Sequence, residues 1–181
     1  MRSANPGWQG MSASTPEQRL SMAGHRLPSA PEPRGHYAPF HLWQLQDGCI
    51  RLAVSGQTCR VEGVAVVGTC TPGASLEPAR AAARIAMLNV LAAVAAACGG
   101  ALPARLDTCR LRGFLRSTPD FAKHSAVLDA ASELLQTAWP DAPRPARTVV
   151  GVASLPDGAF IEIELDAVLP PATGAVPNGA P

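Results

Sequence analysis

Residues 146–165 read ARTVVGVASLPDGAFIEIEL, and the fold turns on how this stretch pairs. Arg147 to Ser154 and Ala159 to Val168 are two apolar runs that predict strands. Between them stands Asp157-Gly158, which favours a two-residue type I′ turn because both positions must take positive φ. That turn predicts a hairpin in which Pro156 faces Ala159, Ala153 faces Glu162 and Arg147 faces Val168. Side chains alternate along a strand, so two faces follow. Val150, Val152, Ile161, Ile163 and Leu165 form an apolar face expected to pack on helices. Arg147, Val149, Gly151, Ala153, Phe160, Glu162, Glu164 and Asp166 form the other. One arginine, three carboxylates and several small side chains there predict the wall of a polar pocket or a subunit interface. In this register Arg147 and Glu162 stand too far apart along the strands to pair directly, so a small ligand or a neighbouring chain fills the gap. A slip of one residue would put them on opposite faces.

Upstream of this stretch, Arg105 to Leu115 predicts a strand. Ser117-Thr118-Pro119-Asp120 leads into a helix carrying Phe121, Val127, Leu128, Leu134 and Leu135 and ending before Pro140. Ser75-Leu76-Glu77-Pro78 opens an alanine-rich helix that stops at Gly99-Gly100. Earlier still, Asp47-Gly48 separates the run His36 to Gln46, with Tyr37, Phe40, Leu42 and Trp43, from the alternating Ile50, Leu52 and Val54, a hairpin signal. A weaker apolar run covers Val61 to Val67. Thr15 and Pro16 predict a short helix to about Met22, with Thr15 as N-cap. The order β-β-(β)-α-β-α-β-β predicts an α+β two-layer domain, two amphipathic helices on one face of a mixed sheet. The second face is left uncovered, which points to self-association.

The chain has 181 residues, 47% of them hydrophobic, and a net charge of +1. That is one domain with a real core. The charge balance argues against a nucleic-acid face built on bulk charge. Residues 1–14 read as a flexible N-terminal segment, 15–169 as the folded unit with its core over 35–169, and 170–181 as a Pro/Gly/Ala-rich tail. Five cysteines without CxxC or CxxH spacing argue against a disulfide framework or a zinc site. The N-terminus lacks the apolar stretch of a secretory signal. The apolar run Ile85–Cys98 falls short of the roughly twenty residues that cross a bilayer. The expectation is a cytoplasmic protein with no membrane partner.

ARTVVGVASLPDGAFIEIEL resembles the closing signature of the RidA/YjgF family, also labelled endoribonuclease L-PSP. Gly35-His36-Tyr37 is similar to the Gly-Pro-Tyr of the family's first strand, Ser55-Gly56-Gln57 to its SGQ, and Asp120-Phe121-Ala122 to the start of its second helix. The resemblance covers about 130 residues in the right order. It implies a chorismate mutase-like fold and a homotrimer whose sheets form a central barrel, with small-molecule clefts between adjacent subunits. Its best-known members hydrolyse enamines and imines to 2-keto acids and ammonia without a cofactor or metal. By the same resemblance Arg147 matches the carboxylate-binding arginine and Glu162 the water-orienting glutamate, with Tyr37, Ser55 and Gly56 lining the cleft. Two further substrate-binding positions depart from the pattern: Val149 replaces a cysteine and Ser125 an asparagine.

The residues make chemical sense of that implication. A guanidinium grips a carboxylate through two parallel hydrogen bonds, and a carboxylate orients water for attack on a C=N carbon. Plainer roles stand beside each one. Arg147 is otherwise a salt-bridge partner, Glu162 a partner to an arginine of the barrel, Tyr37 a core or interface side chain. Ser55 is otherwise a satisfied strand-end hydroxyl and His124 a solvated helix residue. Arg110, Arg112 and Arg116 form a basic stripe on the third strand. Besides the deaminase, two functions remain open: a non-enzymatic trimer that binds a small carboxylate such as a 2-keto acid, and, remotely, an endoribonuclease.

Overall fold

The computed structural model describes residues 14–171. The segments expected at residues 1–14 and 170–181 lie almost wholly outside the described residues.

Helix α1 (Pro16–Met22) begins where the sequence places it. Thr15 Oγ1 accepts a hydrogen bond from the Gln18 amide at 3.2 Å, and the Gln18 side chain accepts from the Thr15 amide at 2.8 Å. This reciprocal pair satisfies two otherwise orphaned donors. Strands β1 (Phe40–Gln44) and β2 (Ile50–Thr58) form the first hairpin. Gly48, at φ 82°, supplies the left-handed residue its loop requires. The weak run near Val61 becomes a minor hairpin, β3 (Arg60–Val61) and β4 (Val64–Ala65). Then come α2 (Glu77–Ala97), β5 (Asp107–Arg116), α3 (His124–Ala138), β6 (Ala146–Val152) and β7 (Ile161–Leu169).

The main sheet runs β1-β2-β7-β5-β6. It is mixed: β5 and β6 are parallel, and the other pairs are antiparallel. Helices α2 and α3 cover one face, as the sequence predicts. Helix α2 presents Ala82, Ala83, Ala86, Met87, Val90 and Leu91 to the core. Its alanines let the backbone approach the sheet closely. By length and composition α2 could cross a membrane, yet 61% of its most apolar stretch is buried inside this fold. Helix α3 sits close over β5 because Gly113 has no side chain. A Cβ there would stand 2.9 Å from Leu128.

The closing hairpin does not form. Asp157 (φ 52°) and Gly158 (φ 69°) take the predicted left-handed turn, and the Ala159 amide donates to the Pro156 carbonyl at 3.1 Å. Pairing stops at that rung. Strand β6 instead pairs in parallel with β5, with α3 as the crossover. Strand β7 leaves the turn for the slot between β2 and β5. The physical reason is burial. In the central slot Ile161, Ile163, Leu165 and Ala167 all disappear from solvent, each larger side chain contributing about 1.5–3 kcal/mol. A two-stranded ribbon at the edge would leave them half covered.

This topology corrects the predicted faces for β6. Arg147, Val149 and Gly151 point toward α3, not away from it. Val150, expected on the helices, is 42% exposed on the open face. The assignment for β7 holds: its odd-numbered residues face the helices, and Glu162, Glu164 and Asp166 face the uncovered side.

Candidate functional site

Two groups of the sequence-predicted residues assemble, at different places. The first is on the open face around β2 and β7. Residues Ser55 and Gly56 form a bulge in β2, where the β2–β7 register shifts between Val54 and Gln57. Bulges bend a strand and re-aim its side chains. The Ser55 hydroxyl donates to the Ala38 carbonyl at 2.7 Å, and its amide donates to the Pro39 carbonyl at 3.0 Å. These bonds pin the segment carrying Tyr37 to the bulge. Tyr37 itself is half exposed, its hydroxyl accepting from the Arg34 amide at 3.5 Å.

Gly56 lies directly against the Glu162 carboxylate, and a Cβ at position 56 would overlap it. Across the strands Glu162 stands opposite Thr58 on one side and Phe114 on the other. It makes no ion pair or side-chain hydrogen bond with another described residue. Burial, and then the Glu164 charge beside it, push its carboxyl above the usual carboxylate range. The neighbouring acids are treated differently. Arg112 donates from Nε to Glu164 at 2.7 Å and from Nη2 to Asp166 at 3.2 Å. The predicted basic stripe is therefore largely consumed. Arg112 serves these two carboxylates, and Arg116 donates to the Gly158 carbonyl at 3.2 Å.

The second group lies at the edge, between α3 and β6. Arg147 Nη1 reaches Asp129 at 2.6 Å and Ser132 Oγ at 3.1 Å. Both bonds fall on one nitrogen, so Nη2 and Nε keep their donors free of described partners. The guanidinium opens onto a cleft of about 590 Å³ between α3, the start of β5 and the 142–147 segment. Val149 packs against the core beside Gly113. Ser125 is exposed in the first turn of α3. No ligand set for a metal occurs among the described residues.

The expected meeting of Arg147 and Glu162 in one crevice of one chain is thus overturned. Strand β5 separates their strands, about 10 Å at ~4.8 Å per spacing. Glu162 is level with Phe114 and Val150, three residues beyond Arg147, and the two side chains lie on opposite faces of the sheet. Sequence reasoning also missed Asp129 and Ser132. Their spacing of three puts both on one face of α3, but nothing in the sequence pointed that face at β6. It missed a third feature as well. His124, expected to be solvated, has Nε2 3.4 Å from Ser117 Oγ, and both sit over Gly151, where a Cβ would be 2.8 Å from the imidazole.

Comparison with known proteins agrees with this architecture. Residues 29–169 match the family described as Endoribonuclease L-PSP. Protein TCP17 of Trypanosoma cruzi is 32% identical over 147 residues, covering 80% of this chain and 88% of that protein. The structure of Atu1372 from Agrobacterium tumefaciens is 34% identical with a TM-score of 0.71, over 84% of this chain and 92% of that one. A candidate endoribonuclease from Shewanella oneidensis is 30% identical with a TM-score of 0.76, over 86% and 100%. With the α+β fold, the SGQ bulge and the closing strand in place, the chain belongs to the endoribonuclease L-PSP family, the RidA/YjgF family that its motifs resemble.

Proposed function

We propose that this protein is a cofactor-free hydrolase of small enamine and imine intermediates, working as a homotrimer in the cytoplasm. The observation that carries this reading is Glu162. It is a half-buried carboxylate with no described cation to neutralise it, held against a glycine on an uncovered sheet face. Burial and the Glu164 charge make this carboxylate a stronger base toward a water beside it than an exposed one.

In the proposed reaction an enamine first becomes the imine by protonation at carbon. The free side of the Arg147 fork holds the substrate carboxylate. Glu162 takes a proton from water as its oxygen adds to the C=N carbon. Glu162 returns that proton to the nitrogen and then takes the proton of the new hydroxyl as the C=O bond forms, the C–N bond breaks and ammonia leaves, giving a 2-keto acid. Because Arg147 and Glu162 occupy opposite faces of one sheet, the site joins Arg147 of one copy to Glu162, Tyr37, Ser55 and Gly56 of another. The uncovered face, with Trp43 and Val150 exposed, supports such contact between copies.

The test generates 2-aminoacrylate with a pyridoxal phosphate lyase and measures ammonia and pyruvate release. Wild type accelerates release. Glu162→Gln and Arg147→Ala each lower it by roughly 100-fold or more, the scale of a lost acid–base or positioning group. Full activity in either variant removes the mechanism. The unpaired Nη2 and Nε of Arg147 beside the cleft support a second reading, in which the cleft binds a 2-keto acid without turnover. A ligand-dependent rise in Tm with no ammonia release would select it.

A further inference from the structure

Residues 26–37 cross the surface as a strap without helix or strand. Pro28, Pro31 and Pro33 restrict φ along it, so holding it in place costs less ordering than a freer segment would. Leu27 anchors its start against the core. Beyond Leu27, every hydrogen bond between the strap and the rest of the described fold comes from one side chain, Arg34.

Arg34 meets two tight turns. One joins β3 to β4, with Glu62 (φ 50°) and Gly63 (φ 80°) both left-handed, and the other is Asp157-Gly158 ahead of β7. Arg34 donates from Nη1 to Asp157 Oδ2 at 3.2 Å and from Nη2 to the Gly63 carbonyl at 2.9 Å. Arg60 reaches the same two acceptors, Asp157 Oδ2 at 2.5 Å and the Gly63 carbonyl at 3.1 Å. Two guanidiniums and two oxygens thus close a ring, in which one carboxylate holds two cations together. A lone exposed pair contributes little, but planar forks bonded at two points fix a geometry. Without the carboxylate the two arginines repel across the remaining carbonyl.

This ring touches the candidate site from two sides. Arg60 Nε donates to Thr58 Oγ1 at 2.9 Å, and Thr58 is the β2 partner of Glu162. On the strap, the Tyr37 hydroxyl accepts from the Arg34 amide, and a Cβ on Gly35 would touch the Tyr37 ring at 3.5 Å. Tyr37 is therefore folded back onto the clamped residue itself.

We propose that Arg34 and Asp157 are positioning residues of the deaminase site: their bond holds the strap closed and fixes Tyr37 at the β2 bulge beside Glu162. The effect on turnover rests on the deaminase reading, but the effect on the strap does not. With the clamp open, the strap must close again each time substrate binds. A site that is competent about one-tenth of the time shows about a tenfold higher KM with little change in kcat.

Tyr37 is the single tyrosine of the chain, so labelling with fluorotyrosine gives one fluorine NMR resonance that reports on the strap. Arg34→Gln removes one guanidinium. Asp157→Asn removes the shared charge at a left-handed position that asparagine tolerates. Both side chains are more than half exposed, so neither variant opens the core. In the ligand-free wild type the resonance is displaced from that of free fluorotyrosine, and in both variants it moves toward the free value and sharpens. In both, kcat/KM for 2-aminoacrylate falls about tenfold through KM, and the double variant loses no more than the worse single one. In a Tyr37→Ala background neither substitution lowers kcat/KM further. A resonance that stays in place in both variants overturns the inference. So does an unchanged KM where the resonance has moved, or a loss that persists in the Tyr37→Ala background. A resonance that moves in a protein whose wild type hydrolyses no imine removes the deaminase reading and leaves the clamp standing.

Discussion

Strands β6 and β7 follow one another in the chain, and both read as apolar strands, yet they lead opposite structural lives. Strand β7 is central, with antiparallel partners on both sides. Strand β6 is at the edge, parallel to β5, with Ala146 to Thr148 and Val150 exposed. In β7 apolar and acidic residues alternate strictly from Ile161 to Asp166, so only one orientation buries the apolar set. In β6 the run Thr148-Val149-Val150-Gly151-Val152 is nearly uniform, and either face could be the core. Alternation specifies a face only where the two sides differ chemically.

Stability separates the two strands most widely. Ile163→Ala in β7 should cost about 2–5 kcal/mol, the scale of a buried aliphatic truncation. Val150→Ala in β6 should stay within about 0.5 kcal/mol. Urea denaturation distinguishes them, and equal losses would mean the strands are equally central. Next in size is Gly56→Ala. It pushes the Glu162 carboxylate off its seat and should cost about 1–3 kcal/mol, as overpacking does.

Glu162→Gln carries the contrast into pH. The folded carboxyl is raised above its unfolded value, so between the two values the folded chain holds the extra proton. Stability then falls as pH rises through that window. The amide of the variant carries no charge to desolvate. The variant should therefore melt higher than wild type at pH 7 to 8, with the advantage gone below the unfolded glutamate value. An advantage that persists in acid would assign the effect to packing. The smallest effect belongs to β6. Asp129→Asn removes the Arg147 partner at a half-exposed position and should cost under about 1 kcal/mol, less at high salt. Calorimetry at two ionic strengths measures it.

Much of this is legible in the sequence. The N-cap at Thr15, the Asp47-Gly48 hairpin, both long helices and the α+β class follow from local signals. So do the left-handed turn at Asp157-Gly158 and the polar face of β7. Strand pairing does not follow, because the turn fixes only its own four residues. Whether the next strand stays or moves is decided by apolar area elsewhere, here the empty slot between β2 and β5. The site is obscured by the same cause. Ser55, Gly56 and Glu162 come together because β2 and β7 are neighbours, and the Ser55 bonds to Ala38 and Pro39 tie the Tyr37 segment to that bulge. Arg147 escapes the sequence because a charged residue in an apolar strand is expected to face away from the helices. Asp129 and Ser132 make the helix side a suitable place for it.

In the proposed mechanism Arg147 and Glu162 act on one substrate from different copies of the chain. Co-refolding inactive Arg147→Ala with inactive Glu162→Gln is the decisive experiment. A site shared between copies predicts that the mixture regains a substantial fraction of wild-type ammonia release, since some junctions then carry both intact residues. Mixed oligomers that form, as seen by native mass spectrometry, and remain as inactive as either parent would contradict it.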